Sequence, residues 1–204
     1  EASREKIAFI ASTTLAMEAI TWLTCAWADQ KNIDIRIEAA MAKLFCTESI
    51  WKIADMTMQL RGGRGYEKGR SLAARGEVPF PVERIMRDSR INMILEGSSE
   101  IMRLFLAREA LDPHLKRAKN LLNPKATTGQ KIKTAFTLAG FYSGWYFKQL
   151  FAGMSSSSYS EFKPLQDHVR FIEKSSHKLA RKIFEAMATY RENLEKRQML
   201  LGRL

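Results

Sequence analysis

Long stretches of this chain combine a helical spacing of apolar residues with an absence of helix-breaking residues. Residues 2–31 contain neither proline nor glycine. Their apolar side chains recur at spacings of three and four residues: Ile7, Ile10, Met17, Ile20 and Leu23. Such spacing places the side chains on one surface of a helix. No strand-like alternation or internal repeat is evident in the sequence, so an all-α fold is predicted.

Three further helices are expected in the first 112 residues. One begins near Asp34, a residue suited to the N-cap position, and ends at Gly62, which can terminate a helix. Residues 66–81 contain two glycines and two prolines and are expected to form a loop. A shorter helix follows from Val82, and the last begins at Ser98. The expected architecture is an antiparallel four-helix bundle.

The pattern changes beyond Pro124. Thr127 or Thr128 can cap a helix over residues 131–154 that is rich in aromatic residues. Four serines at 155–158 then predict a hinge. A second helical stripe of apolar residues follows among many basic ones: Leu165, Val169, Ile172, Leu179, Ile183, Met187, Tyr190 and Leu194. Residues 113–204 are therefore expected to form a helical extension.

The charge is divided unevenly between these two parts. The net charge is +11 over 204 residues. Residues 1–112 carry 16 Lys and Arg against 16 Asp and Glu, whereas residues 113–204 carry 17 against 6. We therefore place a domain boundary near residue 112. There is no run of about 18 uncharged apolar residues and no signal-peptide pattern, so no membrane-spanning helix is expected.

One carboxylate stands at the start of the fourth predicted helix. Glu96 precedes Gly97, which permits a sharp turn, and Ser98, whose hydroxyl can cap the helix. The backbone would then hold the acid in place, which suits proton transfer. The alternative is a surface glutamate beside a helix N-terminus, where a negative charge is stabilised by about 0.3–1 kcal/mol.

A run of glycines follows the second predicted helix, where Gln59 precedes Gly62, Gly63 and Gly65. Glycines allow a phosphate or a ring to approach the backbone closely. As a bare pattern, such a cluster is more often the C-terminal cap of a helix.

Taken in order, these motifs resemble the C-terminal helical domain of acyl-CoA dehydrogenases over roughly residues 1–112. Residues 37–45, the pair Arg87 and Asp88, and Arg103 belong to the same pattern. The two arginines and the aspartate are expected to form ion pairs that lock helices together. The resemblance implies that Glu96 is the base that removes the pro-R α-proton of an acyl-CoA thioester, while a hydride passes to FAD. It also implies that the Glu96 backbone N–H helps to stabilise the developing enolate oxygen. The implied pathway is fatty acid β-oxidation.

The same resemblance assigns contacts to FAD. Gln59, Gly62, Gly63 and Gly65 match the residues that contact the FAD of the neighbouring subunit. Gly97, Ser98 and Glu100 match the residues that contact the FAD of the same subunit. Many relatives have Thr where Ser98 stands, and the hydroxyl is kept. Many have Gln where Glu100 stands, and a carboxylate cannot donate a hydrogen bond as an amide does.

The second part resembles, more weakly, the helical extension of very-long-chain acyl-CoA dehydrogenases, which are homodimers that associate with membranes peripherally. The implied partners are an acyl-CoA substrate, a second copy in a homodimer or homotetramer, and electron-transfer flavoprotein as acceptor. The implied location is cytoplasmic, or peripheral at an inner membrane, on the matrix side in a mitochondrion. For residues 131–154, contact with anionic lipid and packing on the neighbouring bundle both remain open.

Two functions remain open at this point. The chain is either the C-terminal part of an FAD-dependent acyl-CoA dehydrogenase, or a noncatalytic helical assembly or membrane-docking module that retains the motifs. It starts without Met and is expected to be a fragment with little activity of its own. The three histidines lack metal-ligand spacing and are expected at the surface, and no nucleic-acid-binding motif accompanies the basic residues.

Overall fold

A computed structural model describes residues 1–152 and 159–203, and this part of the chain contains helices and no strand, which confirms the all-α prediction. The α-helices are α1 (Ala2–Ala28), α2 (Arg36–Arg61), α3 (Gly63–Tyr66), α4 (Gly69–Ala74), α5 (Val82–Ile91), α6 (Ser99–Leu122), α7 (Thr128–Phe151), α8 (Gln166–Tyr190) and α9 (Gln198–Leu201). Short 3-10 helices occupy Ser160–Leu165 and Arg191–Leu194. The chain divides into two compact units, Glu1–Leu106 and Ala107–Leu204.

Helix α2 is the centre of the first unit, since it packs against both α1 and α5. It buries the small side chains of Ala40 and Ala54, which allow the neighbouring helices to approach closely. The helix begins two residues after Asp34, whose carboxylate accepts a hydrogen bond from the Arg36 backbone N–H at 3.2 Å. It ends at Gly62, as the sequence predicted, and that glycine adopts a φ of +60°.

The loop predicted over residues 66–81 contains part of α3 and the whole of α4. Leu72 of α4 and Val82 at the start of α5 are fully buried. Burial of these two apolar side chains stabilises helical turns that are too short to show a periodic pattern. The prediction of a structureless loop was therefore wrong for residues 69–74.

Helix α1 also departs from expectation. By length and composition alone, the segment Ser3–Ala28 is apolar enough to cross a membrane. The sequence pattern had predicted no membrane-spanning helix. The same helix contacts α2, where Thr21 Oγ1 lies 3.9 Å from Cys46 Sγ. Other apolar side chains on α1 are open, and Trp22 is 75% exposed.

The second unit begins at Ala107, which lies within α6 and before the predicted boundary at residue 112. Pro113 lies inside α6 and removes one helical N–H without ending the helix. Thr127 is the cap of α7: its hydroxyl accepts from the Gln130 backbone N–H at 3.3 Å, and the Gln130 side chain accepts from the Thr127 backbone N–H at 3.1 Å. Helix α7 ends at Phe151, and the predicted serine hinge at 155–158 lies outside the described residues. A boundary at residue 112 itself stays a prediction.

Aromatic side chains of α7 form the core of the second unit with α6 and α8. Tyr142 stacks on Phe184 with ring centroids 4.5 Å apart, and Trp145 lies 5.5 Å from the same ring. His114, expected at the surface, is half-buried among these rings, and its Nδ1 lies 2.6 Å from the Tyr142 hydroxyl. The expectation was wrong because the contact joins residues 28 positions apart in sequence.

Burial of His114 makes the stability of the second unit depend on pH. Burial, and secondarily the nearby positive charge of Arg117, lowers the pKa of His114 below its usual value of about 6.5. The folded state therefore favours neutral imidazole, and stability is complete above pH ~6.5 and decreases as the pH falls below it. When the pH is lowered from 7.5 to 5, we expect the melting temperature of the full-length His114→Phe protein to fall by less than that of the wild type. The exposed His168→Phe is the control, and equal losses in all three proteins would contradict the assignment.

Candidate functional site

The turn between α5 and α6 has an unusual backbone. Glu96 has a φ of +53°, and Gly97 follows with a φ of +97°. Glycine occupies the left-handed region freely, whereas a residue with a Cβ does so at a cost of order 1–3 kcal/mol and mainly where function requires it. Among the described residues, the other non-glycine residue with a positive φ is Lys163. The strain at Glu96 therefore marks the predicted base as a candidate functional residue.

Backbone hydrogen bonds close this turn and fix the start of α6. The Ser99 N–H donates to the Met93 carbonyl at 3.1 Å. Ser98 caps the helix as predicted, since its Oγ lies 3.5 Å from the Ile101 backbone nitrogen, although the helix itself begins one residue later. The Glu96 carboxylate is exposed, and no described side chain pairs with it. The acid is thus positioned by main-chain geometry and is open to a substrate.

Glu100 lies on the first turn of α6 and is also exposed. Hydrogen bonds from its own backbone N–H and from the Ser98 hydroxyl hold the pKa of the Glu100 carboxyl below its usual range. Its negative charge is also favoured by the positive end of the helix dipole. These interactions account for Glu100 as a helix-capping residue without reference to a cofactor.

Helix α2 contacts the turn through a residue to which the sequence analysis gave no role. Lys43 Nζ donates to the carbonyl of Leu95, at 3.3 Å, and to the carbonyl of Gly97. These two carbonyls lie on either side of Glu96. Lys43 belongs to the family-like stretch 37–45, but a local pattern cannot show a partner 52 or 54 residues away.

Ion pairs near the turn differ in what they join. Arg103 of α6 donates to Glu48 of α2 at 2.7 Å and so ties two helices together, as expected. Arg87 pairs with Glu83 at 2.9 Å within α5, and Asp88 pairs with Arg84 at 3.4 Å in the same helix. The expectation that Arg87 and Asp88 lock different helices together was wrong, because their partners lie one helical turn away.

Two of the three glycines after α2 are required, each for a different reason. Gly62 needs its positive φ to end the helix. Gly65 is buried, and a Cβ there would lie 2.6 Å from the carbonyl oxygen of Met58. Gly63 has neither reason, since its φ is not positive and a Cβ would meet nothing within 4 Å. Gly63 therefore leaves an open, exposed backbone that a ligand can approach.

The two groups of predicted site residues lie near opposite parts of α2. Gln59, which is exposed, is sixteen residues beyond Lys43 on that helix, a separation of about 24 Å at the helical rise. Glu96 and the glycine run are thus both held by α2, through Lys43 near its beginning and through Gly62 at its end.

An open cleft of about 670 Å³ lies between α2, α3 and α5. Its lining combines apolar side chains with cationic ones and one carboxylate: Trp51, Met58, Tyr66, Lys68, Glu83, Met86, Arg87, Arg90, Ile91 and Ile94. Clefts with an apolar wall and few charged groups suit organic ligands. Within the described ranges, no group of His, Cys, Asp and Glu side chains is arranged to hold a metal ion.

Comparison with known proteins covers both parts of the chain. The family model of the acyl-CoA dehydrogenase C-terminal domain matches residues 1–111. Proteins named probable acyl-CoA dehydrogenase FadE10, from Mycobacterium bovis and Mycobacterium tuberculosis, are 51% identical over the whole of this chain, which is 32% of their length. The mitochondrial very long-chain specific acyl-CoA dehydrogenase of Mus musculus is 35% identical over 147 residues, which are 72% of this chain and 20% of the mouse protein.

These matches also bear on the second part of the chain. The 147 residues similar to the mouse protein exceed the 111 of the domain, so that likeness continues beyond residue 111. The chain spans about a third of the length of its mycobacterial relatives and is a fragment of such a protein. It belongs to the acyl-CoA dehydrogenase family, whose C-terminal domain its first 111 residues form.

Proposed function

We propose that this chain is the C-terminal part of an FAD-dependent enzyme that removes hydrogen from the α and β carbons of acyl-CoA thioesters, with Glu96 as the base. The observation that carries the proposal is the left-handed φ of +53° at Glu96, within a turn closed by Ser98 and Ser99. Such strain is retained where a side chain must be held in a required direction. The proposed reaction belongs to fatty acid β-oxidation.

The proposed roles of the residues follow from the chemistry. The α-proton of a thioester is too weakly acidic for an unassisted carboxylate, so the negative charge that develops on the thioester oxygen has to be stabilised. The backbone N–H of Glu96 is proposed to donate to that oxygen, while its carboxylate accepts the α-proton. One backbone position thereby fixes both the base and a donor, which gives a reason for the left-handed backbone of Glu96.

The cofactor in this proposal is FAD, which supplies an acceptor for the hydride that leaves the β-carbon. The residues present fit such a group: Gly63 offers open backbone, and Ser98 retains a hydroxyl beside the base. We propose that Gly97 and Ser98 contact the FAD of the same subunit, and that Gln59, Gly62 and Gly63 contact the FAD of a second subunit. The same proposal includes Gly65 and Glu100, which also have a packing role and a helix-capping role.

The substrate and acceptor follow from the same proposal. The substrate is an acyl-CoA, the assembly is a homodimer or homotetramer, and electron-transfer flavoprotein takes the electrons.

The experiment that tests the proposal is anaerobic mixing of the FAD-loaded full-length protein with saturated acyl-CoAs of increasing chain length. Loss of the oxidised-flavin absorbance with at least one of them is expected. Bound flavin that no acyl-CoA reduces would favour the noncatalytic function instead.

Gly63 provides a test of the cofactor site that does not depend on turnover. We expect Gly63→Ala in the full-length protein to weaken FAD binding by about tenfold, equivalent to about 1.4 kcal/mol, because a methyl group would occupy the space of the cofactor. The measurement is the flavin content after dilution and gel filtration. Gly140→Ala, on helix α7, is the control, since a Cβ there also meets open space. Full retention of FAD in Gly63→Ala would exclude this contact.

A second function, docking on a membrane, is favoured by one surface of α7. Tyr142 and Trp145 pack inside the second unit, whereas Phe136 is 76% exposed and Phe147 and Phe151 are also exposed. Exposed lysines on the same helix add positive charge. We propose peripheral contact of this surface with anionic lipid, at the cytoplasmic or matrix side of an inner membrane. We expect the wild-type protein to sediment with anionic vesicles and not with neutral ones. The Phe136→Ser variant is expected not to sediment with anionic vesicles.

A further inference from the structure

The backbone around Glu96 needs a support that its own turn does not supply. Glu96 and Gly97 are both in the left-handed region. The hydrogen bond from the Ser99 N–H to the Met93 carbonyl spans this pair from outside, and the Ser98 hydroxyl serves the helix that follows. Neither contact engages the carbonyl groups of Leu95 and Gly97, the residues before and after the glutamate. Without another contact, Glu96 would relax toward a negative φ, where a residue with a Cβ is more stable.

Lys43 makes the missing contacts. Its Nζ donates to the carbonyl oxygen of Leu95, at 3.3 Å, and to that of Gly97, so that one ammonium group binds the carbonyls before and after Glu96. An ammonium group has three donors and no acceptor, and hydrogen bonds from a charged donor are stronger than neutral ones. Lys43 is half-buried, which reduces competition from water. Both carbonyls can face one cation only while the turn keeps its observed shape.

The support comes from a rigid element. Lys43 lies inside α2, which packs on α1 and α5. A second contact from α2, between Glu48 and Arg103 at 2.7 Å, holds the beginning of α6 on the same helix. The ion pair holds α6 on α2, whereas the two hydrogen bonds of Lys43 hold the backbone of the turn itself.

We propose that Lys43 is a positioning residue that holds the Glu96 turn in its strained conformation and so directs the carboxylate toward the α-carbon of the substrate. This inference rests on the proposed function of Glu96 as the base. Lys43 does not touch the reacting atoms. Its removal should leave the carboxylate chemically intact but misplaced, and a misplacement of about 1 Å can cost about 10²-fold in rate.

The test uses the full-length, FAD-loaded protein with Lys43→Met, which keeps the length of the side chain and removes the donors. We expect the rate of anaerobic flavin reduction to fall about 10²-fold, with FAD content unchanged. The kinetic isotope effect of α-deuterated acyl-CoA should rise, because proton transfer to a misplaced base becomes more strongly rate-limiting. A residue needed only for packing would not change that isotope effect.

Two further variants separate positioning from packing. Lys52→Met removes another lysine from α2, whose Nζ lies over the Phe9 ring and not near the turn, and it should keep the wild-type rate and isotope effect. Arg103→Met loosens α6 from α2 but leaves both carbonyl contacts of Lys43 in place. It should therefore lower thermal stability without raising the isotope effect.

Hydrogen exchange provides a readout that does not require turnover. In Lys43→Met, the peptide that contains residues 92–100 should exchange faster than in the wild type, because the Ser99 N–H is released when the turn opens. If Lys43→Met does not fold, Lys43→Arg retains cationic donors and should fold, protect this peptide and recover part of the rate.

The outcomes distinguish the role of Lys43 from the role of Glu96. A folded Lys43→Met with the wild-type rate, isotope effect and hydrogen exchange would overturn the role of Lys43. A folded Lys43→Arg whose turn is unprotected from exchange but whose rate equals that of the wild type would overturn it as well. Failure of both variants to fold would assign Lys43 to folding and overturn its positioning role as well. Rapid flavin reduction by Glu96→Gln would instead overturn the proposed function of Glu96, whatever Lys43 does.

Discussion

Replacing Glu96 by Gln in the full-length protein is expected to reduce the rate of flavin reduction by acyl-CoA by about 10²–10⁴-fold, the usual contribution of a positioned general base. Glutamine has nearly the same shape but cannot accept the α-proton. The backbone N–H at this position remains, so substrate binding should change little. Anaerobic stopped-flow absorbance, with flavin content measured on the same samples, gives the rate.

The matched control for this variant is Glu100→Gln. Glu100 lies four residues further on and is also exposed, but its carboxylate is engaged by its own backbone N–H and the Ser98 hydroxyl. We expect this substitution to lower stability slightly and to leave the rate within a few fold of the wild type. A larger loss of rate in Glu100→Gln than in Glu96→Gln would identify Glu100 as the base instead of Glu96.

Gly65→Ala should give the largest loss of stability among substitutions of the glycine run. The new Cβ would lie 2.6 Å from the Met58 carbonyl oxygen and 2.9 Å from Met58 Cα, both of which are backbone atoms of α2. Since no flexible side chain can move aside, α2 and α3 must separate. Overpacking of this kind costs about 1–3 kcal/mol, and a backbone clash belongs at the upper end or beyond.

Thermal unfolding of the full-length protein, followed by the helical circular dichroism signal, measures this loss. Gly63→Ala is the matched control, because it lies two residues away and meets open space. Its stability should stay within about 1 kcal/mol of the wild type, even though its FAD binding is expected to weaken. Equal melting temperatures for the two variants would show that Gly65 is not packed against Met58 as described.

The sequence predicted those features that depend on neighbouring residues. Glycine after Gln59 predicted the end of α2 at Gly62, and serine after Gly97 predicted the cap of the next helix. Thr127 and Gln130 likewise form a capping box that a local pattern can identify. In each case the residue satisfies or releases a backbone group within three or four positions, which is the range of a sequence motif.

Features that join distant parts of the chain could not be predicted in this way. The contacts of Lys43 with the Glu96 turn span 52 and 54 residues, and the contact of His114 with Tyr142 spans 28. The left-handed conformation of Glu96 itself was also not evident, since the sharp turn was expected at Gly97. Short helices such as α4 form because Leu72 is buried by tertiary packing, which local propensity does not contain.

The central claim is that Glu96 takes the α-proton, and isotope exchange tests this step apart from hydride transfer. A 3,3-dimethylacyl-CoA has α-hydrogens but no hydrogen on its β-carbon, so it can lose a proton and cannot lose a hydride. Incubated in D₂O with the FAD-loaded full-length protein, it should gain deuterium at the α-carbon, and Glu96→Gln should abolish that gain. Exchange at equal rates in the two proteins would contradict the assignment of Glu96 as the base.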